Sequence, residues 1–107
     1  MSYHVFIISD AESDIFEIYR YILTNDSQQS ADYIYSKIQD ICESLAKIPE
    51  RGHYPPELSK IGVYDFREIH LKPYRIMYQI VGNKVFVHCV LHEKRDLQEL
   101  LEKRLLR

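Results

Sequence analysis

Residues 74–92, YRIMYQIVGNKVFVHCVLH, decide the fold of this chain because they have the pattern of a β-hairpin. Two runs of β-branched and aromatic residues flank Gly82-Asn83, a pair typical of tight two-residue turns. Such a turn pairs Ile80 with Val85, and the same register places mostly apolar side chains on one face of both strands. The stretch therefore predicts two neighbouring antiparallel strands with one buried face.

The segments on both sides of the hairpin predict one α+β domain over residues 1–107. Upstream, apolar residues recur at intervals of three and four in two stretches, which is typical of amphipathic helices, and Ser9 and Glu12 have the spacing of a capping box. The predicted order is β-α-α-β-β-β-α, with an N-terminal helical hairpin packed on an antiparallel sheet and a C-terminal helix. The predicted strands are 3–8, 63–71, 74–81 and 85–92, and the predicted helices are 9–25, 31–48 and 93–107. We expect the first strand to be covered on both faces, since it is short and apolar.

Length and composition limit the class of protein. The chain has 107 residues, 46% hydrophobic and 28% charged, which is typical of a globular domain with its own core. No apolar run approaches the roughly 20 residues of a membrane span, and no signal peptide pattern is present. Cys42 and Cys89 lack the spacing of a metal or redox motif, so we interpret them as buried apolar residues in a reducing compartment. We expect a cytoplasmic protein that is not associated with a membrane.

Charge is distributed unevenly along the chain. Residues 1–46 contain two basic and eight acidic side chains, whereas residues 47–107 contain twelve basic and eight acidic ones. The acidic half is either a solvated helix surface or one pole of a functional dipole. The net charge of −2 argues against a broad RNA-binding surface.

The second face of the predicted hairpin is polar. If the preceding turn centres on Leu71, Arg67 lies directly opposite Arg75, and two like charges so close are unfavourable unless an anion or an acidic group compensates them. Glu68 then falls on the apolar face, which requires either a shifted strand end or a buried ion pair. The residues of the polar face in this register are Arg75, Met77, Gln79, Phe86, His88, Val90 and His92.

Each charged candidate has a structural and a functional interpretation. Arg67 and Arg75 either pair with nearby carboxylates or bind a partner or a phosphate. His92 is either a surface or capping residue or a group that moves protons. Arg95 lies where the last helix is predicted to begin. It is either only the start of that helix or a residue that binds an outside partner, because a cation is unfavourable at a helix N-terminus.

Motifs of other site classes are missing from the sequence. It contains no glycine-rich phosphate loop, no GxSxG, no HExxH and no paired-cysteine motif. The five histidines, at positions 4, 53, 70, 88 and 92, have no spacing typical of a metal site. We therefore expect neither a cofactor nor a metal.

Four short motifs occur in this order of elements: Ile48-Pro49-Glu50-Arg51-Gly52, Arg67-Glu68-Ile69, Tyr74-Arg75-Ile76-Met77-Tyr78 and Leu91-His92-Glu93-Lys94-Arg95-Asp96. Together they resemble the motifs of the RelE/ParE superfamily of bacterial toxins. The resemblance covers nearly the whole chain. The third and fourth motifs are the most specific, and the fourth is more similar to the ParE branch.

The resemblance implies the toxin of a type II toxin–antitoxin module, of the plasmid-stabilization kind, that a cognate antitoxin neutralises. In the ParE branch the target is DNA gyrase, and the toxin is a binding poison. In the RelE branch the toxin cuts messenger RNA on the ribosome, where arginines hold the scissile phosphate. Carried over by position to a nuclease, the catalytic set would be Arg67, Arg75, His92 and Arg95.

Departures from the nuclease pattern favour the ParE branch. The connector carries only Lys47, Arg51 and Lys60, and the helix after Arg95 contains no tyrosine. We therefore expect a gyrase inhibitor, with an endoribonuclease as the first alternative and a non-toxic protein-docking module as the second. Whether the chain is an enzyme depends on this choice.

An apolar group around the arginines is the predicted partner surface. An apolar patch rimmed by charge usually marks an interface. We expect the antitoxin there and in the groove between the helical hairpin and the sheet, in a homodimer or a heterotetramer. The predicted partner-binding residues are Arg67, Ile69, Arg75, Met77, Phe86, Val90, His92 and Arg95.

Overall fold

The computed structural model describes residues 2–106. Its elements in chain order are β1 (His4–Ile7), α1 (Ser9–Asn25), α2 (Gln28–Ser44), a 3₁₀ turn (Pro49–Arg51), α3 (Pro56–Ser59), β2 (Arg67–Leu71), β3 (Tyr74–Val81), β4 (Lys84–His92) and α4 (Leu97–Leu105). The predicted α+β order is confirmed, and the connector between α2 and β2 adds two short helical turns. Among the described residues, no helix is both long and apolar enough to span a membrane.

The four strands form a mixed sheet in the order β1-β4-β3-β2. Strands β2, β3 and β4 are antiparallel as predicted, but β1 runs parallel to β4, with His4 opposite Lys84. The prediction that β1 is covered on both faces is wrong. Val5 and Ile7 pack into the core, whereas Phe6 is 46% exposed because the helices cover only one face of this edge strand.

The hairpin of α1 and α2 covers one face of the sheet with the two predicted apolar stripes. Ala11 and Ile15 of α1 and Ile38 of α2 are buried against the sheet. Burial of each of the two isoleucine side chains contributes about 1.5–3 kcal/mol. The predicted capping box is wrong, because α1 begins at Ser9 itself and has no side-chain cap.

The connector and α4 cover part of the opposite face. Leu58 of α3 and Leu97 and Leu101 of α4 pack with Met77 and Cys89 in a second core. The sequence did not predict this second core. It buries Met77, which the predicted register assigned to the polar face of the hairpin.

Both cysteines are free and buried, as predicted. Burial raises the pKa of the Cys42 thiol to about 11 and that of the Cys89 thiol to about 12. They behave as small apolar residues of the two cores.

A β-bulge changes the register in the middle of the β3–β4 hairpin. Tyr78 lies opposite Val87, as predicted, but Met77 lies opposite Cys89, so His88 is the extra residue of β4. Beyond the bulge every β4 residue has moved by one position and therefore changes face. The prediction that Val90 and His92 share a face with Arg75 is wrong for this reason.

The β2–β3 turn also differs from the prediction. Leu71 pairs with Tyr74, so Lys72 and Pro73 form the turn, and it does not centre on Leu71. Arg67 consequently lies opposite Tyr78, and His70 lies opposite Arg75. The predicted like-charge pair of arginines does not form, because the two side chains belong to opposite faces of the sheet.

Candidate functional site

Arg75 and Glu68 form a buried ion pair on the face opposite the helical hairpin. Arg75 is 8% exposed and Glu68 is fully buried. Nε of Arg75 donates to Oε1 of Glu68 at 2.6 Å, and Nη2 donates to Oε2 at 2.8 Å. This bidentate pair explains how a carboxylate can lie inside the protein.

Glu57 of α3 occupies the other edge of the Arg75 guanidinium. Nη1 of Arg75 donates to Oε2 of Glu57 at 2.6 Å, and Nη2 donates to Oε1 at 2.8 Å. The hydrogen bond with Arg75 lowers the pKa of Glu57, and the same bond raises the pKa of Arg75. All three guanidinium nitrogens are therefore engaged by carboxylates.

His53 and His70 complete the surroundings of Glu68. Nε2 of His53 is 3.2 Å from Oε2 of Glu68, and Nε2 of His70 is 3.0 Å from Oε1. Backbone hydrogen bonds of 3.0 and 2.7 Å between His53 and Glu68 bring this part of the connector alongside β2. We call His53, Glu57, Glu68, His70 and Arg75 the Glu68 cluster.

Arg67 belongs to the other face and organises the connector. Its Nη1 donates to the carbonyl oxygens of Glu50 at 3.3 Å and Gly52 at 3.0 Å, and its guanidinium lies 4.7 Å from the ring centre of Tyr54. The Tyr78 hydroxyl also accepts a hydrogen bond from the Gly52 N–H at 2.9 Å. Arg67 therefore interacts mainly with this chain's own backbone.

His92 and Arg95 are brought together at one cleft of about 460 Å³ between α1 and the end of β4. The His92 ring meets Tyr74 edge-on at 5.7 Å, and its Nδ1 accepts a hydrogen bond from the N–H of Lys94 at 3.1 Å. Arg95 is exposed and precedes Asp96, which caps α4. The cleft is also lined by Asp14, Glu17, Ile18, Tyr21, Tyr74, Val90 and Leu91.

The apolar group predicted around the arginines does not form a surface patch. Met77 and Val90 are 0% and 1% exposed, and they belong to different cores. Ile69 packs partly buried against the helical-hairpin core. Phe86 is half-buried and stacks on the exposed Phe6, with 5.5 Å between ring centres. Of these four apolar residues, Phe86 contributes to an exposed aromatic pair.

Sequence reasoning missed two further charged residues, Asp14 and Arg104. Asp14 accepts hydrogen bonds from the Val90 N–H at 3.0 Å and from Nη1 of Arg104 at 2.9 Å, while Nη2 of Arg104 donates to the His88 carbonyl at 2.8 Å. These backbone groups lie beyond the end of β1, where β4 has no strand neighbour on that side. Burial raises the pKa of Asp14 even though Arg104 lowers it. The pair is separated by 90 residues, and no sequence pattern indicates it.

A family model provides the first comparison with known proteins. The model described as the ParE toxin of type II toxin–antitoxin systems, parDE, matches residues 5–97 of this chain. No curated protein matches the chain.

Solved structures provide the second comparison. The chromosomal ParDE system from P. aeruginosa is similar with a TM-score of 0.71 and 15% identity, covering 85% of this chain and 96% of that chain. The toxin–antitoxin complex RelBE2 from Mycobacterium tuberculosis gives 0.64 and 17%, covering 86% and 99%. A double arginine-to-alanine mutant of E. coli toxin RelE in the free state gives 0.66 and 17%, covering 100% and 98%. At these identities the similarity establishes a common fold.

Proposed function

The chain belongs to the ParE toxin family of type II toxin–antitoxin systems, and from that membership we propose that it inhibits DNA gyrase and is neutralised by a cognate antitoxin. In this proposal the chain is a binding poison and catalyses no reaction. The match to the ParE family over residues 5–97 supports gyrase as the target class. Gyrase as the target would place the protein in the cytoplasm.

The engagement of Arg75 by two carboxylates is the observation that carries the proposal. A nuclease of this fold needs guanidinium groups that can reach a scissile phosphate and stabilise its developing charge. Every nitrogen of Arg75 is already bonded to Glu57 or Glu68. A phosphate that displaced Glu68 would leave this buried carboxylate without its guanidinium partner, which is strongly unfavourable. We infer that Arg75 stabilises the fold and does not hold RNA.

Charge supports the same choice. The chain has a net charge of −2, and eight acidic against two basic side chains lie within residues 1–46. Those residues include β1 and both long helices of the hairpin. RNA binding depends on cations that neutralise phosphates, so this surface is poorly suited to a ribosome-bound messenger.

An antitoxin is the proposed partner. Two similar solved structures are a ParDE toxin–antitoxin system and a RelBE2 toxin–antitoxin complex, which supports this class of partner for the present chain. We propose the cleft of His92 and Arg95 as part of the contact surface, because exposed Arg95 suits an acidic side chain. The Phe6–Phe86 stack offers a separate apolar contact.

A ribosome-dependent endoribonuclease is the second candidate. The observation that favours it is the shared cleft of His92 and Arg95, which brings a group able to transfer protons next to an exposed guanidinium. Arg67 and Arg75 would not take part in such a site as originally predicted, because they lie on opposite faces and are bonded within the chain.

Induced expression in bacteria tests the two candidates in the same cells. Growth is followed, and plasmid topology and total messenger RNA are extracted at the time of arrest. Growth arrest with abnormal plasmid topology and intact messenger RNA supports gyrase inhibition. Growth arrest with ribosome-dependent cleavage of messenger RNA, lost in His92→Ala or Arg95→Ala, overturns the gyrase proposal in favour of the nuclease.

Unimpaired growth with soluble expressed protein would favour a non-toxic docking module. His92→Ala and Arg95→Ala suit this experiment because His92 is only half-buried and Arg95 is exposed. Arg75→Ala is unsuitable, since loss of activity would follow from unfolding. Supercoiling by purified gyrase in the presence of this purified chain, with and without a candidate antitoxin, gives the direct measurement.

A further inference from the structure

We propose that His53, Glu68 and His70 form a binding site for a divalent transition-metal ion, with Zn²⁺ as the best fit. One ligand atom from each residue lies within 4.8 Å of the other two. The imidazole Nε2 atoms lie 3.2 and 3.0 Å from the carboxylate oxygens of Glu68. Ligand atoms around tetrahedral zinc, with bonds of about 2.0–2.2 Å, are separated by roughly 3.3 Å.

The donor set selects the class of ion. Two imidazoles and one carboxylate are a known zinc ligand set that leaves a fourth position for water. Mg²⁺ and Ca²⁺ prefer sites made of oxygen atoms alone. Imidazole ligands favour Zn²⁺, Cu²⁺, Ni²⁺ or Fe²⁺, and the short separations suit a compact tetrahedral site.

Glu68 is a preorganised anchor for such an ion. It is fully buried, and Arg75 fixes both carboxylate oxygens by hydrogen bonds of 2.6 and 2.8 Å. Hydrogen bonds to a ligating carboxylate are a common means of orienting it. The charge of Arg75 opposes a cation, but Glu57 offsets it, so two carboxylates and one guanidinium leave the cluster net negative.

His53 and His70 give access to the site. Their side chains are 62% and 42% exposed, so an ion can enter from solvent and the rings can adjust by small rotations. The two rings come from different segments, one from the connector and one from β2, and meet edge-on at 5.1 Å. A bound ion would therefore fasten the connector to the edge strand of the sheet.

Cobalt and zinc binding to the untagged, metal-free chain test the proposal. Co²⁺ is titrated first, because a tetrahedral complex gives strong visible absorption, and Zn²⁺ affinity is then measured by competition with a chromophoric chelator. We expect one equivalent to bind and each of His53→Gln and His70→Gln to weaken Zn²⁺ binding at least about tenfold. His4→Gln, which changes an exposed histidine of β1, is the matched control and should bind as the unchanged chain does.

Thermal unfolding supplies a second readout. Zn²⁺ should raise the melting temperature of the unchanged chain and of His4→Gln by more than that of the other two variants, because an ion that binds only the folded state stabilises it in proportion to its affinity. Absence of stoichiometric binding to the unchanged chain overturns the proposal. The proposal would also be overturned if His53→Gln and His70→Gln bound Zn²⁺ with the same affinity as the unchanged chain. None of these outcomes depends on gyrase inhibition, so the proposed function is tested separately.

Discussion

Glu57 and Arg75 meet in a bidentate ion pair, with Nη1 to Oε2 at 2.6 Å and Nη2 to Oε1 at 2.8 Å. Glu57 lies in the one-turn helix α3 of the connector, and Arg75 lies in the inner strand β3. The pair therefore ties the connector to the sheet. It also leaves Arg75 with a second carboxylate, Glu68, whose own burial depends on the same guanidinium.

Arg75→Met should destabilise the protein strongly. The substitution leaves Glu68 buried without its charged partner, and breaking a buried ion pair in this way typically costs about 3–5 kcal/mol. Urea denaturation followed by circular dichroism measures the free energy of unfolding. Arg51→Met, at an exposed position of the connector, is the matched control and should change it by no more than about 0.5 kcal/mol.

A second variant separates the ion pair from the packing of Arg75. In Arg75→Met combined with Glu68→Leu, the buried charge is removed together with its partner, and much of the lost stability should return. If Arg75→Met alone were as stable as Arg51→Met, the Glu68 cluster would contribute little to the fold, and the structural role that we assign to Arg75 would be wrong.

Glu57 should make the protein sensitive to acid. Its ordinary pKa of 4.5 applies to the unfolded chain, and the hydrogen bond with Arg75 lowers the folded-state pKa. The stabilisation from this group is thus complete above about 4.5 and is lost as the pH falls through the lower folded value. Urea denaturation between pH 3 and pH 6 should show a shallower acid loss in Glu57→Gln than in the unchanged chain. Glu99→Gln, on the exposed side of α4, should retain the full loss.

The sequence predicts the hairpin but not the change of register within it. Residues 89–91, Cys-Val-Leu, are all apolar, so the pattern fits equally well with or without an extra residue at His88. The bulge lies beside tertiary contacts that the sequence pattern does not indicate, since Asp14 and Arg104 bond the backbone groups next to it. The misplaced β2–β3 turn had the same consequence for Arg67, because its partner moves by three residues, from Arg75 to Tyr78, and a shift by an odd number of residues reverses the face.

The sequence offered a buried ion pair of Glu68 as one alternative but did not predict the whole Glu68 cluster, for a related reason. The position of Glu68 on an apolar face was the sequence signal, and it left a shifted strand end and a buried ion pair as alternatives. Its partners Arg75 and His70 follow within seven residues, but Glu57 and His53 come from the irregular connector, where side-chain periodicity gives no information about contacts. A cluster assembled across a loop cannot be recognised by spacing, which is why the histidines were not predicted to act together.

Gly52→Ala should destabilise the connector by a steric effect. A Cβ at this position would lie 2.6 Å from the carbonyl oxygen of Glu68 and would also collide with the Tyr78 hydroxyl. Overpacking of this kind costs about 1–3 kcal/mol, and here it also disturbs the hydrogen bond from Gly52 to Tyr78. Gly62→Ala is the informative comparison, because Gly62 has a φ of +80° but open space around it. Its cost should be limited to about 1 kcal/mol of backbone strain. If urea denaturation showed the same loss of unfolding free energy in Gly52→Ala and Gly62→Ala, the steric explanation would be contradicted.

Asp14→Ala should open the free edge of β4 locally. The Asp14 carboxylate is the acceptor for the Val90 N–H, and it holds Arg104 against the His88 carbonyl. Its removal leaves the Val90 N–H without its acceptor and takes the carboxylate partner from the largely buried Arg104 guanidinium, which keeps only the His88 carbonyl, at a cost of about 1–3 kcal/mol. Native-state hydrogen exchange measured by NMR should show a faster Val90 amide, while the Tyr78 amide in the inner strand β3 changes only by the global loss of stability. Glu12→Gln, on the exposed side of α1, should leave both exchange rates unchanged.

If the Val90 amide kept its protection in Asp14→Ala, another acceptor would have to bind this N–H. The contact that joins α1 and α4 to the edge of β4 would then not depend on Asp14.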